Sequence, residues 1–497
     1  MIFYKNIKKS RKSTQKNLTF SIFADGVDLN KDDSIALPNS CKMSYNLTMK
    51  DGALKTGLGF QNLRVPASLD DLENCHEFDL SSIDEICGLW LDRWFSSGLN
   101  DFVYQIVFLD ASNIVWGALL LDSYEGCIFQ KSTNLKSAPV YACEYRMDDE
   151  DCQIFFSNEG MLRLGYTTVG YYVNVPAMIS CVVHYDNFFG ITNSNRNRLV
   201  YTTDLNLSSW NNENSSTIEF LDNRGAFTKL ISFNDYVYLF REKGITKISL
   251  YSSHADFSFT HLYSSTSKIY EDSVCVCGDK VFFVTRDGLF TFNGASVQKV
   301  NQDYDNLFLK MSNDNCTCAC LNGKYYFATK CDFDDGKTVG CENGTYVNNT
   351  LFVVDIEDFT LEIYRGVDIR NLVAVDSPYM SKLCASFYNN HKQQIGELVQ
   401  NGKTFENVNE KFWRSHKTDL GEIGKRKHIT EIFIKTKYPC DFVIESDEET
   451  KTYSFDGSDD LQRLSVSVYG TYFEFTFSTN QEFCEICKPT VNFDVVS

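Results

Sequence analysis

The chain has 497 residues, with 39 Phe and 27 Tyr but only 7 Pro, and it carries a formal net charge of −19. This length allows several domains and a sizeable core, and the wealth of aromatic residues favours pleated, half-buried β surfaces. So acidic a chain repels nucleic acid and anionic membrane, which excludes a non-specific coat on either, and no apolar run approaches the ~18–20 residues of a membrane-spanning helix.

Residues 1–16 form a basic arm with Lys5, Lys8, Lys9, Arg11, Lys12 and Lys16 and no acidic residue. The rest of the chain is therefore more acidic than the net charge alone conveys. The arm has no apolar stretch of the kind a secretory signal needs. It reads either as a flexible segment that orders against a partner or as a solvated tail.

Residues 17–100 read as an N-terminal strand segment. It begins with the strand-like Leu18 to Phe23 and continues to Asn46-Leu47-Thr48-Met49-Lys50-Asp51-Gly52-Ala53-Leu54, closing at Gly57-Leu58-Gly59. The acidic stretch from Leu69 to Leu80 reads as a short helix or a loop.

From residue 101 to 404 the chain repeats one pattern. Two copies, within 231–295, are the clearest. Phe233-Asn234-Asp235-Tyr236-Val237-Tyr238-Leu239-Phe240 leads through Arg241-Glu242-Lys243-Gly244 to Ile245–Leu250. Cys277-Gly278-Asp279-Lys280-Val281-Phe282-Phe283-Val284 leads through Thr285-Arg286-Asp287-Gly288 to Leu289–Phe292. Two apolar runs joined by a short turn ending in Gly make a β-hairpin. Looser versions occur at 102–121, 154–166, 182–202, 324–364 and 383–399. Units of ~40 residues, each with hairpin signals, predict a β-propeller of about six or seven blades. A long sandwich is the alternative. Phe233, Tyr238, Phe282 and Phe290 are assigned to blade packing.

Residues 405–497 change character. Leu464, Val466 and Val468 alternate with Ser465 and Ser467, and Phe473, Phe475 and Phe477 alternate with Glu474 and Thr476. A period of two with one polar face predicts antiparallel strands covered on one side, here a β-sandwich-like domain. The fold class is all-β.

Candidate chemistry is sparse. Cys316-Thr317-Cys318-Ala319-Cys320 sets three thiols on one strand face, with Cys331 and Cys341 as possible neighbours, but adjacent ligands diverge along a strand. Cys484-Glu485-Ile486-Cys487 is a single CxxC with no second pair, whereas structural zinc takes four ligands. The 18 Cys read mostly as reduced, buried thiols, which implies assembly in a cytoplasm. The acidic turns Asp332-Phe333-Asp334-Asp335-Gly336 and Asp456-Gly457-Ser458-Asp459-Asp460 lack the twelfth-position Glu of a calcium loop. There is no nucleophile elbow, zinc-protease helix or phosphate loop. No catalytic residue, cofactor or metal is assigned, and a non-enzyme is expected.

Several short phrases resemble tailed-bacteriophage virion proteins, including the tail nozzle and packaged-DNA stabilisation proteins of short-tailed phages. They are the Asp25-Gly26-Val27-Asp28 opening with Asn46 and Asp51-Gly52-Ala53-Leu54, the run Phe188 to Trp210, and Phe412-Trp413 with Thr418-Asp419-Leu420-Gly421 and Arg426-Lys427. The usual Arg before the closing Gly is replaced by Leu58. Asp204 and Trp210 also look like the structural Asp-box of sialidase-type propellers, at longer spacing and with Asn206 for Gly, and are read as a blade-corner staple. The resemblance implies a virion component, assembled in the host cytoplasm, that forms a homo-oligomeric ring with other tail or portal/adaptor proteins. DNA would pass as non-specific cargo, and no membrane would be bound. A carbohydrate- or receptor-binding propeller and a sialidase-like hydrolase are the alternatives.

Overall fold

The computed structural model describes residues 15–20, 27–28, 40–68, 71–77, 80, 83, 85–98, 100–121, 124–165, 168–185, 187–202, 205, 207, 210, 215–249, 257–300, 304–333, 346–378, 380–389, 392–404 and 407–496. Two compact units divide the chain. One takes Met1–Leu58, Gln400–Lys403 and Asn407–Ser497; the other takes Gly59–Val399 and Thr404–Glu406.

The second unit is built from runs of consecutive buried residues. Val237-Tyr238-Leu239-Phe240, Val281-Phe282-Phe283-Val284 and Leu351-Phe352-Val353-Val354 are each buried throughout. A strand buries both faces only when it is covered on both sides, and here each such strand is a middle strand of a sheet lying between two other sheets. Seven antiparallel sheets follow one another along the chain: blade 1 over 86–134, blade 2 over 139–172, blade 3 over 178–219, blade 4 over 227–264, blade 5 over 275–299, blade 6 over 311–365 and blade 7 over 369–399. Blades 1 to 6 hold four strands each in sequence order. Blade 7 takes three from its own stretch and a fourth, Gly59–Asn62, from far earlier in the chain, with Asn62 opposite Gly396 and Gly59 opposite Val399.

Each blade's apolar face meets its neighbour. Val107 and Val115 of blade 1 pack on Phe155 and Leu162 of blade 2, and Phe156 of blade 2 packs with Phe188 of blade 3. Leu199 of blade 3 joins Leu239 of blade 4, and Phe240 of blade 4 meets Phe283 of blade 5, with ring centroids 5.7 Å apart. Phe282 of blade 5 stacks on Tyr325 of blade 6. The first strands of blades 6 and 7 run side by side, and Val375 and Cys384 of blade 7 close on Ile106 and Phe108 of blade 1. The result is a closed seven-bladed β-propeller, and closure leaves no blade face without a cover.

The repeated phrase is the core of blades 4 and 5. Asn234 and Asp235 both take positive φ (47° and 61°) between Phe233 and Tyr236, the turn geometry that matches strand twist. At the equivalent corner of blade 5 Gly278 has φ 60°. Phe233, Tyr238 and Phe282 are buried and Phe290 packs against the same core, as blade packing requires.

Some boundaries differ from the sequence reading. Blade 1 begins at Ile86, ahead of residue 101, and the stretch read as one strand from Val182 to Ile191 is two, Met178–His184 and Asn187–Thr192. The stretch read as a short helix or loop contains a strand, Asp71–Glu77, paired with Arg64–Ser68. Its acidic residues break the apolar periodicity on which a strand reading rests.

The first unit joins both ends of the sequence. One sheet contains Leu47–Lys50, Ala53–Thr56, Glu485–Val495, Lys427–Thr436 and Gln462–Gly470, with Lys16–Thr19 also on Glu485–Val495. The other contains Cys41–Tyr45, Lys411–Ser415, Phe473–Thr479, Cys440–Ser446 and Thr450–Phe455. Phe473, Phe475 and Phe477 are buried, and the residues between them are half-buried. Phe20, which follows the strand Lys16–Thr19, sets its ring edge against Trp413 and Phe475 of the other sheet. This is a β-sandwich, and strands from the N-terminal segment complete it.

Candidate functional site

The first strands of adjacent blades stand side by side at six of the seven interfaces, and at the seventh Lys229 of blade 4 reaches Val274 just before blade 5, so these seven strands form the propeller's inner wall. At their N-terminal ends lies a cavity of about 710 Å³. Glu85 and Cys87 reach it from blade 1, Lys229 from blade 4, Asp272 from the approach to blade 5, Asp314, Cys316 and Cys318 from blade 6 and Arg370 from blade 7. Three acidic and two basic groups share its wall with three thiols. Arg370 is already bound, at 3.2 Å to Asp368 and 3.6 Å to Glu85. Lys229 donates from Nζ to the Val274 carbonyl at 2.9 Å, tying blade 4 to blade 5.

A second cavity of about 630 Å³ opens near the opposite ends of the inner strands, against blades 1 to 3. Its wall includes Arg93, Glu144, Arg146, Asp148, Asp149 and Asp151. Glu144 lies 3.3 Å from Arg93. Burial pushes its carboxyl up to about 7; the Arg93 guanidinium opposes that rise, and Asp92 and Asp151 add to it. Asp148 and Asp149 both take positive φ in the turn, and Arg163 donates to Asp148 at 2.6 Å from a largely buried position.

The sequence-singled residues are spread across these features. Cys316 and Cys318 line the central cavity; on blade 5 Cys275 neighbours Cys318, and Cys277 neighbours Cys320. Cys331 sits at the other end of the hairpin, opposite Met311, and Cys341 lies outside the described residues. Sequence spacing alone could not find this grouping, because it is made by two blades. Cys484 is buried in the sandwich, where its backbone exchanges hydrogen bonds with Thr56, and burial pushes its thiol up to about 12. Among the described residues no group of three or more His, Cys, Asp or Glu is arranged to hold a metal ion. Asp456, Asp459 and Asp460 form an exposed turn; Asp334 to Gly336 lie outside the described residues.

Trp210 donates from Nε1 to the Leu207 carbonyl at 3.0 Å and sets its ring edge on Phe188. Its expected partner Asp204 lies outside the described residues, as do Lys5, Lys8, Lys9, Arg11 and Lys12. Lys16 opens the strand Lys16–Thr19 and pairs with Glu422. No helix of the described residues is long and apolar enough to cross a membrane.

No protein-family model matches the chain, and no curated protein matches it. Among solved structures it is similar to KlHsv2 with loop 6CD replaced by a Gly-Ser linker, at 11% identity and TM-score 0.30, covering 52% of this chain and 79% of that one. It is similar to Chaetomium thermophilum Raptor at 8% identity and TM-score 0.41, over 69% of this chain and 29% of that one. The N-terminal domain of Nup159 matches at 10% identity and TM-score 0.36, over 69% and 96%. The propeller assignment stands on the strand order and the closed run of blade interfaces.

Proposed function

We propose that the chain is a non-enzymatic structural component of a tailed-phage virion at its portal or tail end, acting through ring assembly around passing or retained DNA. The observation that carries this reading is the convergence of the family-like phrases. Asp51-Gly52, with φ 56° and 74°, turns the hairpin Leu47–Lys50 to Ala53–Thr56, and Leu420-Gly421, with φ 55° and 75°, turns the approach to Lys427–Thr436. These phrases come from opposite ends of the sequence and belong to one folded unit. Lys427 within the last of them is fully buried and donates to the Thr471 carbonyl at 2.7 Å. The order of these two phrases follows the needs of one sandwich, while the phrase that opens at Phe188 belongs to the propeller unit. An acidic ring lumen would let phosphate slide without adhering, while the basic arm would anchor on an acidic neighbouring protein.

Mass spectrometry and immunogold microscopy of purified virions test the reading, with mass photometry of the purified protein alongside. The chain is expected in the particle at a fixed copy number, at the tail end, and as a ring alone or with its portal-side neighbour. Absence from virions overturns it. Ring assembly that survives removal of residues 1–16 overturns the anchoring role alone.

The second reading is a carbohydrate- or receptor-binding propeller. The cavity beside Glu144 favours it, since carboxylates, two arginines and Tyr145 share one wall. Glycan-array binding that is lost in Arg93→Ala would establish it. A sialidase-like hydrolase has less support: the described lining of the central cavity contains a single arginine, Arg370, already paired with acids.

A further inference from the structure

The propeller's inner wall carries thiols that face one another across two blade interfaces. Cys143 lies on the inner strand of blade 2 (Pro139–Met147) and Cys181 on that of blade 3 (Met178–His184); their Sγ atoms are 3.4 Å apart. On blade 5, Cys275 and Cys277 share one face of Cys275–Cys277, and on blade 6, Cys318 and Cys320 share one face of Met311–Leu321, because alternate side chains of a strand point the same way. Cys275 neighbours Cys318, and Cys277 neighbours Cys320. At both places the inner strands of adjacent blades run side by side. All six are free thiols.

We propose that these facing thiols are an interblade redox site, which a small disulfide oxidant converts into the disulfides Cys143–Cys181 and Cys275–Cys318, stapling blade 2 to blade 3 and blade 5 to blade 6. A deeply buried cysteine is ordinarily a small hydrophobe, and Cys384 fits that description, packed in the apolar core between blades 7 and 1. The facing thiols differ. Cys143, Cys181, Cys275 and Cys318 are all partly exposed, and Cys318 lines the 710 Å³ central cavity, which gives a small oxidant access. Closing each pair to a bond of ~2.05 Å asks for side-chain rotation between strands that already lie together.

The attacking species is a thiolate. The neighbouring Cys277 and Cys318 thiols favour the Cys275 thiolate. That thiolate attacks one sulfur of the oxidant, forming a mixed disulfide and expelling one small thiol. Cys318 then loses its proton and displaces the second small thiol, leaving the protein disulfide. Two protein thiols give up two electrons and two protons, and one small disulfide becomes two thiols. Cys143 and Cys181 react in the same sequence. Burial pushes the Cys181 thiol up, so its resolving step accelerates with rising pH.

The test uses the full chain, purified reduced, incubated with oxidised glutathione at pH 7 and pH 8.5, then alkylated, digested and analysed by mass spectrometry. Cys87 is exposed and serves as the internal measure of oxidant access. The expected result is linked peptides joining Cys143 to Cys181 and Cys275 to Cys318, faster at the higher pH, with a Tm rise of about 3 °C or more on oxidation. Cys143→Ala is expected to abolish the first link and keep the second, and Cys318→Ala the reverse. Complete glutathionylation of Cys87 with no interblade link, or links scrambled to Cys87, overturns the proposal; this readout on the unmutated protein does not depend on either variant folding.

Discussion

At the scale of single residues, Arg241 shows how a charged side chain becomes a structural one. It stands in the repeated phrase just before a tight turn, where sequence reads only a charged corner. In the fold it is fully buried. It donates to the Gly225 carbonyl at 3.1 Å and pairs with Asp222 at 2.6 Å, between the rings of Phe220 and Phe227. Arg241→Ala removes a buried guanidinium with its carbonyl and carboxylate bonds and leaves a void beside Phe220 and Phe227, so it is expected to lower stability by about 2 kcal/mol in urea denaturation. The Arg241 guanidinium holds the Asp222 carboxyl well below its usual range. That stabilisation is present above the ordinary carboxylate pKa and is lost as pH falls through the depressed value, so the deficit of the variant should shrink in strong acid.

Glu144 has the opposite sign. Its folded pKa, raised to about 7, lies above the ordinary carboxylate value of 4.5. Any relative stability from its protonated form is present below the ordinary value and lost as pH rises toward 7. The third of its side chain that reaches solvent screens part of this. Glu144→Gln, which cannot ionise, is therefore expected to raise Tm relative to the unmutated protein more at pH 8 than at pH 5. Thermal melts at the two pH values check it; an equal shift at both would contradict the role given to burial.

At the scale of elements, the closing strand Gly59–Asn62 is short but decisive. Phe60 is 1% exposed and its ring lies against Phe387, centroids 3.9 Å apart. Phe60→Ala is expected to cost about 3 kcal/mol or more, and to raise hydrogen exchange first in blade 7 and at its contact with blade 1. Uniform loss of protection over all blades would show that closure is not local. The same strand marks a limit of sequence reading. Middle strands such as Val281–Val284 were legible because burial on both faces writes a continuous apolar run, and the sandwich strand Phe473–Thr479 because one covered face writes alternation. Gly59-Phe60-Gln61-Asn62 writes neither. It pairs with Lys392–Val399 on one side and Lys403–Thr404 on the other, both far along the chain, and pairing at that distance leaves no local periodicity. The thiol grouping of Cys275 and Cys318 was hidden for the same reason, whereas Cys316, Cys318 and Cys320 on one face were visible from strand alternation.

At the scale of the whole molecule, the propeller lies within the sequence of the sandwich: the chain begins one unit, completes the other, and returns. A fragment of residues 59–406 contains all seven blades with their closing strand and is expected to fold with the β circular dichroism of the propeller. A fragment starting at Leu63 lacks that strand and is expected to be proteolysed readily. Equal protease resistance of the two fragments would show that ring closure contributes little.

Ring closure by an early strand also governs how the protein comes off the ribosome. Gly59–Asn62 emerges long before its partners at Gly396–Val399, and the hairpin Leu47–Lys50 to Ala53–Thr56 waits still longer for Glu485–Val495. At ~5–20 residues per second the wait lasts tens of seconds. Throughout it, finished blades stand in an open arc with apolar end faces uncovered. Nascent chains stalled before residue 396 should therefore bind holdase chaperones, and those in which Gly396–Val399 and Glu485–Val495 have emerged should not.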